Sequence, residues 1–469
     1  MIDLSIFEGK RIAVMGLGLS GLVAGEALCA GGADVLAWDD DPARRVAASA
    51  RGVPVVGLGG VDWSEIEALV LSPGIPHTFP VPNPVAQRAK DAGVDIVGDI
   101  ELLVRARREA RYIGITGTNG KSTTTALIGH ILSVAGRDCA IGGNLGRPAL
   151  ELDSLDADGV YVLEMSSYQL ELTPSVRFDI AVLLNISPDH LERHGGMAGY
   201  IAAKQLIFEQ QERNGVAIVG VDDDDAKGLF DRLTRGRPSG VVPVSAESAV
   251  LGGVYADGPI LIDAGDGAPR RVRSLEGIET LPGAHNAQNA AAAYAAARAV
   301  GVPSDVITEA LESYPGLPHR QQLAAVIDGV RYVNDSKATN PEAAAKALSS
   351  YDDIYWIAGG RAKEGGLEAL YPYLPRVRRA FLIGEAAERL AGQLVGHVDT
   401  DICGDLESAV AVAAAAAAAD GKKAVVLLSP ACASFDQFAS FERRGEAFCR
   451  FAAQRPGHAR DIRCDGEAA

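Results

Sequence analysis

Apolar residues fall along this chain in short runs, each broken by glycine or polar residues, with helical spacing between them. The run Arg11-Ile12-Ala13-Val14-Met15 breaks into Gly16-Leu17-Gly18-Leu19-Ser20-Gly21. A second run, Val35-Leu36-Ala37-Trp38, ends at Asp39. This order predicts a strand, a glycine turn, a helix and a strand. A further strand at 68–71 stops at the turn signal Ser72-Pro73-Gly74. The first domain is expected to end near residue 108, where Arg105, Arg107 and Arg108 precede a new strand.

The pattern restarts at 112–115, with a glycine-rich loop and a helix from Ser122 onward. Strands at 159–163 and 180–184 follow, each ending in polar residues, as at the ligand-facing edge of a parallel sheet. From Leu317 a third segment carries strands at 332–333, 354–358, 380–383 and 425–428. The fold class read from this alternation is α/β, with three consecutive Rossmann-like domains at 1–108, 109–316 and 317–469. The central one is expected to be a P-loop ATPase-type parallel sheet with helices.

Composition narrows the picture. A chain of 469 residues, 48% apolar, has room for about three domains with cores. Its formal charge of -17 argues against nucleic acid or an anionic membrane as main partner. The first residues include Asp3 and Glu8 and lack the pattern of a signal peptide. The most apolar run, 408–419, is too short to span a bilayer and reads as an alanine-rich buried helix. Six scattered cysteines with no Cys-x-x-Cys pair make disulfides or a zinc site unexpected and a cytoplasmic location the expectation.

Two glycine motifs carry the candidate chemistry. Gly16-x-Gly18-x-x-Gly21 followed by Asp39 fits a dinucleotide fingerprint. Glycines there let backbone approach a diphosphate whichever nucleotide carries it, so nicotinamide, another nucleotide diphosphate and a plain tight turn all stay open. The second motif ends in Gly120-Lys121-Ser122, where backbone amides cradle phosphates, lysine reaches the terminal phosphates and serine can ligate Mg²⁺. The strict consensus has glycine five positions before Gly120, where this chain has Ile115; Gly114 and Gly117 supply the flexibility instead.

The stretch Gly114-Ile115-Thr116-Gly117-Thr118-Asn119-Gly120-Lys121-Ser122-Thr123 resembles the ATP loop of the Mur ligases. Further matching segments occur in order along nearly the whole chain: Gly98-Asp99-Ile100-Glu101-Leu102, Gly143-Asn144-Leu145-Gly146, Leu163-Glu164-Met165-Ser166-Ser167-Tyr168-Gln169-Leu170-Glu171, Asp189-His190, His285-Asn286-Ala287-Gln288-Asn289, Asn334-Asp335-Ser336-Lys337 and Ser429-Pro430-Ala431-Cys432-Ala433-Ser434-Phe435. Within the family the resemblance is to the branch that joins D-glutamate to UDP-N-acetylmuramoyl-L-alanine at the expense of ATP, in the cytoplasm. Folylpolyglutamate-type ligases share a similar loop but begin at the ATPase domain. An NAD-dependent oxidoreductase would leave the second loop unexplained, and a non-catalytic scaffold would not need the catalytic residues.

The resemblance implies that the first domain holds UDP through Leu19, Ser20, Asp39, Ser72 and Gly74, and that Asn144 steadies the substrate carboxylate. Asp40-Asp41 departs from the hydroxyl and basic residue found in related ligases, which puts those side-chain contacts in doubt. Lys121 would act on the phosphates. One Mg²⁺ would lie between Ser122 and Glu164, and a second at His190 and Lys204, with Lys204 carbamylated by CO₂. Asn286 and Asn289 match contacts around adenine, Arg320 and Asp335 the ribose and phosphates, and Lys337 the transferring phosphate. Thr339, Lys363, Ser434, Phe435 and Phe441 match the glutamate pocket, with Arg361 a rival cation to Lys363. The family also implies a monomer, and ligands shared between domains imply domain closure.

Overall fold

The computed structural model describes residues 1–209, 211, 214–236, 240–362, 366–420 and 424–460. Strands form three sheets among these residues. In the first, Asp34–Trp38, Arg11–Met15, Ala68–Leu71 and Asp95–Val97 lie side by side in that order, all parallel. The predicted strand–glycine turn–helix is present: Arg11–Met15 leads through Gly16 to the helix Leu19–Ala30. Gly16 has φ 92°, and a Cβ there would lie 2.7 Å from Ser72 and Ile75. A Cβ on Gly21 would overlap the Gly16 carbonyl, so close packing of turn and helix demands glycine at both positions.

The second sheet has nine strands. Six neighbouring pairings, from Cys139–Gly143 at one edge across to Val254–Asp257, are parallel. The antiparallel strands Ile260–Asp263 and Arg270–Ser274 extend it at the other edge. At its centre Arg111–Thr116 lies between Val160–Glu164 and Ile180–Leu183, with Ile115 opposite Glu164 and Thr116 opposite Leu183. The carboxyl ends of three strands therefore meet in one row, where open α/β sheets bind ligands.

These two sheets belong to one compact unit, Met1–Ser274 with Ala287–Glu312. A single buried apolar cluster runs from Ile2 and Leu4 through Ile100, Leu150 and Phe178 to Leu229. Polar bonds add to it: Gly98 N–H donates to Leu172 O at 2.7 Å, and Glu101 accepts from Ser175 N at 3.0 Å and Oγ at 2.6 Å. Arg105 closes the pair, with Nε 2.7 Å from Glu101. The segment Gly98–Leu102 is thus a joint between the first two sheets.

The other compact unit, Leu275–Asn286 with Ser313–Ala469, holds a seven-stranded sheet. Five parallel strands (Thr400–Gly404, Val377–Ile383, Ile354–Gly359, Val425–Leu428 and Val330–Asn334) are followed by the antiparallel Gln322–Ile327 and Ala459–Arg460. The alanine-rich helix spans Leu406–Ala419 but is not buried all round. Ala409, Val410, Ala413 and Ala417 face the core, whereas Val412 is exposed. Alanine's small side chain lets one face pack close to the sheet and leaves little apolar surface on the other.

Candidate functional site

Strand Arg111–Thr116 enters a loop that turns through Gly117 (φ 151°) and Gly120 (φ 84°) into the helix Lys121–Val134. Both glycines take a backbone conformation that other residues rarely adopt, and a Cβ on Gly120 would overlap Asn289 Oδ1. Asn185, at the end of the neighbouring strand, braces the loop: its Oδ1 accepts from Asn119 N–H at 2.9 Å and its Nδ2 donates to Asn119 O at 3.2 Å. Thr118 Oγ1 accepts from Ser187 N–H at 3.0 Å and lies 3.1 Å from the Tyr200 hydroxyl. Asn185 and Tyr200 were not singled out from sequence. The polar end of strand 180–184 was the available signal for Asn185; Tyr200 gave none.

Lys121 Nζ donates to the Gly117 and Thr118 carbonyls, each at 2.8 Å. Lys204, on the helix Met197–Glu209, is 1% exposed. Its Nζ donates to Gly117 O at 2.9 Å and to Thr116 Oγ1 at 3.4 Å, and stands 4.7 Å from the centre of the Tyr200 ring. Burial, and then the Lys121 charge, push its pKa well below that of an ordinary lysine, against a weaker opposite pull from Asp189 and Glu164.

Glu164 ends its strand 2% exposed. Its Oε1 accepts from Asn144 Nδ2 at 2.9 Å, while Oε2 is buried with no hydrogen-bond partner among the described residues. An uncompensated carboxylate oxygen is costly, and a divalent cation satisfies it. Ser122, at the start of the loop helix, is also buried. No group of three or more His, Cys, Asp or Glu side chains that could hold a metal occurs among the described residues. Mg²⁺ commonly takes one or two carboxylates and completes its shell with phosphate and water, and Glu164 Oε2 offers one such oxygen. His190 adopts a left-handed conformation (φ 51°) before the turn Leu191–His194, with its ring half exposed and Nε2 3.5 Å from Asp189.

One cavity of about 420 Å³ joins these groups to the first glycine motif. Leu19, Ser20 and Gly74 line one part, and Lys121, Asn144, His190 and Lys204 another. Asp39 is held differently from a free ligand. Its oxygens accept from Leu17 N–H at 2.6 Å and Asp41 N–H at 2.8 Å, with Arg44 Nη1 at 3.4 Å. Burial raises its pKa, but these bonds outweigh burial and hold it below the usual carboxylate range. Asp39 therefore shapes the loop, and Ser72 does so too by donating to Gly16 O at 3.0 Å. Asp41 caps the helix Pro42–Ala50, from which Arg45 Nη1 donates to the Asp39 and Asp40 carbonyls at 2.7 and 3.0 Å.

In the same unit Asn289 accepts from Thr124 Oγ1 at 3.3 Å. In the other unit Asn286 Nδ2 donates to Pro282 O at 2.8 Å. Asp335, also there, accepts from Ser429 Oγ at 2.8 Å and Gln321 N–H at 3.2 Å, and burial pushes its pKa up to about 7. Lys337 Nζ stands 4.0 Å from the Phe441 ring centre, and Thr339 N–H donates to Lys337 O. Ser434 is buried, whereas Phe435 is 65% exposed. Arg320 contributes to the turn Leu317–Arg320. Arg361 pairs with Glu385 at 3.1 Å on the surface, and Lys363 lies outside the described residues.

Arg444 was missed from sequence. It is buried, and its guanidinium donates to Ser336 Oγ and O and to the Cys432 carbonyl at 2.9–3.1 Å. It thereby ties together loops that follow Val330–Asn334 and Val425–Leu428. Burial lowers its pKa to about 10.

Residues 115–297 match the Mur ligase middle domain, and residues 319–432 match the Mur ligase glutamate ligase domain. The UDP-N-acetylmuramoylalanine–D-glutamate ligase of Rhodospirillum rubrum is 53% identical over 459 residues, covering 97% of this chain and 96% of that protein. The protein of the same name from Rhizobium meliloti is 50% identical over 462 residues, covering 97% and 99%. The UDP-N-acetylmuramate-alanine ligase of Thermotoga maritima has a similar fold, with TM-score 0.58 at 17% identity over 95% of this chain and all of that one. MurF from Acinetobacter baumannii gives 0.54 at 21% identity over 76% and 79%.

Proposed function

Because this chain belongs to the Mur ligase family, we propose that it joins D-glutamate to UDP-N-acetylmuramoyl-L-alanine, forming ADP and phosphate through an acyl phosphate. The observation that carries this reading is the convergence of Lys121, Lys204 and the open Glu164 oxygen beside the phosphate loop. A carboxylate is a poor acylating agent until its oxygen becomes a phosphate leaving group. Three anionic groups must then be brought together, which requires concentrated positive charge.

Lys121 and the loop amides hold the ATP phosphates in this reading. Ser122 and Glu164 hold one Mg²⁺, and His190 with carbamylated Lys204 the other; the metals supply charge neutralisation at the transferring phosphate. A depressed lysine pKa favours the neutral amine, the form with which CO₂ reacts. Leu19, Ser20, Gly74 and the backbone turn shaped by Asp39 and Ser72 receive the UDP end, and Asn144 orients the acceptor carboxylate. Asn286, Asn289, Arg320, Asp335 and Lys337 bind ATP. Thr339, Lys363, Ser434, Phe435 and Phe441 bind glutamate. Domains at 1–108, 109–316 and 317–469 acting as a cytoplasmic monomer complete the proposal.

Phosphate release with ATP and UDP-N-acetylmuramoyl-L-alanine, assayed across amino acids, tests it. Release dependent on D-glutamate is the expected result. Turnover of NADH without such release would overturn the reading.

A further inference from the structure

Ser166 caps the short helix Ser167–Glu171 and forms a reciprocal capping box with Gln169, which fixes Ser167 in the first turn and in the cavity wall. Two turns in left-handed conformation, at His190 and Gly195, bracket Leu191–His194 and deliver His194 behind that wall. His194 Nε2 lies 2.9 Å from Ser167 Oγ, and Nδ1 lies 3.2 Å from Glu171 Oε1. The imidazole is buried, stacked on Tyr168 at 5.4 Å and tilted against Tyr200 at 5.5 Å.

A carboxylate can only accept, so Glu171 places the imidazole proton on Nδ1 and leaves Nε2 to accept from the Ser167 hydroxyl. Carboxylate, imidazole and hydroxyl in this order are the arrangement by which a buried base prepares a hydroxyl to exchange protons. The groups facing His194 are Glu171 and Tyr168 on one helix, Tyr200 on another, and Arg193 within its own turn. His77 completes the surroundings from the loop after Ala68–Leu71, with Nε2 3.8 Å from Glu171 Oε2.

We propose that Ser167, His194 and Glu171 form a proton relay that takes the first proton from the incoming ammonium and so frees its lone pair for amide-bond formation. This rests on the ligase reading above. Phosphorylating the acceptor carboxylate releases no proton, so the relay serves the second half of the reaction. There the amine nitrogen bonds to the acyl carbon, and the carbon–oxygen bond to phosphate breaks with its electron pair leaving on phosphate. Before the attack one ammonium proton passes to Ser167 Oγ as the Ser167 proton passes to His194 Nε2, with the imidazolium held by Glu171; the second N–H proton leaves with the departing phosphate. Ser167 is the catalytic group; His194 and Glu171 are positioning residues acting through it.

The experiment compares two nucleophiles with the full chain, ATP and UDP-N-acetylmuramoyl-L-alanine. D-glutamate needs its proton removed, whereas hydroxylamine has a free lone pair at neutral pH and traps acyl phosphate as a hydroxamate. His194→Gln should lower the ratio of glutamate to hydroxylamine turnover by about a hundredfold, the lower range of general-base contributions. Glu171→Gln should lower it less. Equal losses with both nucleophiles, or an unchanged ratio in both variants, would overturn the relay alone. Absence of glutamate-dependent release in the unaltered chain would overturn the substrate reading and the relay with it.

Discussion

Lys121 and Lys204 donate to the same acceptor, the Gly117 carbonyl, at 2.8 and 2.9 Å. Two ammonium groups on one oxygen repel each other, and burial together with the Lys121 charge pulls the pKa of Lys204, the buried member, well below that of an ordinary lysine. Replacing Lys204 with alanine is therefore expected to cut D-glutamate-dependent phosphate release by about a hundredfold or more, as for loss of a central electrostatic group. Isotopically labelled bicarbonate should give a carbamate signal in the unaltered chain and lose it in the variant. Full activity in Lys204→Ala, or in CO₂-free buffer, would show that no carbamate is needed.

Sequence reached the phosphate loop because strand, glycines, lysine and helix are contiguous there, and adjacent residues leave a readable pattern. Asp39 is a different case. The acid was recognised at the expected spacing, but nothing local revealed that Leu17 and Asp41 amides consume its oxygens. The strands Ile260–Asp263 and Arg270–Ser274 were also unread. Arg270–Ser274 is charged and partly exposed, as at an antiparallel edge, and the apolar run of Ile260–Asp263 is only three residues long. Arg444 and the Ser167–His194–Glu171 chain unite residues up to 108 positions apart, a relationship carried by topology and by no local pattern.

Gly120→Ala should weaken nucleotide binding more than it alters the fold elsewhere. The new methyl group must occupy a φ of 84° and overlap Asn289, so the loop must shift at the point where its amides turn toward phosphate. Titration with a non-hydrolysable ATP analogue should show at least about tenfold weaker affinity, corresponding to about 1.4 kcal/mol. Unchanged affinity would indicate that the loop accommodates the methyl group without cost.

Asp335 gives stability a pH dependence of unusual sign. Its folded pKa, about 7, lies above the reference 3.8, so the native state holds the proton more tightly between those values. Its contribution is fully present below about pH 4 and is lost as pH rises through about 7. Denaturant midpoints of the ligand-free chain and of Asp335→Asn should therefore differ in slope over this window, with the variant losing less stability on going from pH 5 to pH 7. Parallel curves would place the titration elsewhere.

Arg444→Ala should destabilise the unit that contains it by about 3 kcal/mol, since it leaves buried carbonyls of Ser336 and Cys432 without donors at about 1–3 kcal/mol each. Lysine should rescue only part of the loss, because an ammonium cannot reproduce the planar fork. Urea unfolding followed by fluorescence of Trp356, buried in the same unit, would read both effects. A midpoint unchanged in the alanine variant would contradict the clamp.

The apolar cluster running from Ile2 to Leu229 makes the first two sheets a single solid, and the cavity described above spans both. Such a solid works as a gauge. In the proposed reading, the interval between the diphosphate end and the phosphate loop would be set by these packed side chains, and an acceptor would be selected by its length as well as by its two ends. A substrate shortened by one sugar or residue could seat either its nucleotide or its carboxylate, but the rigid core would not bend to bring both into place.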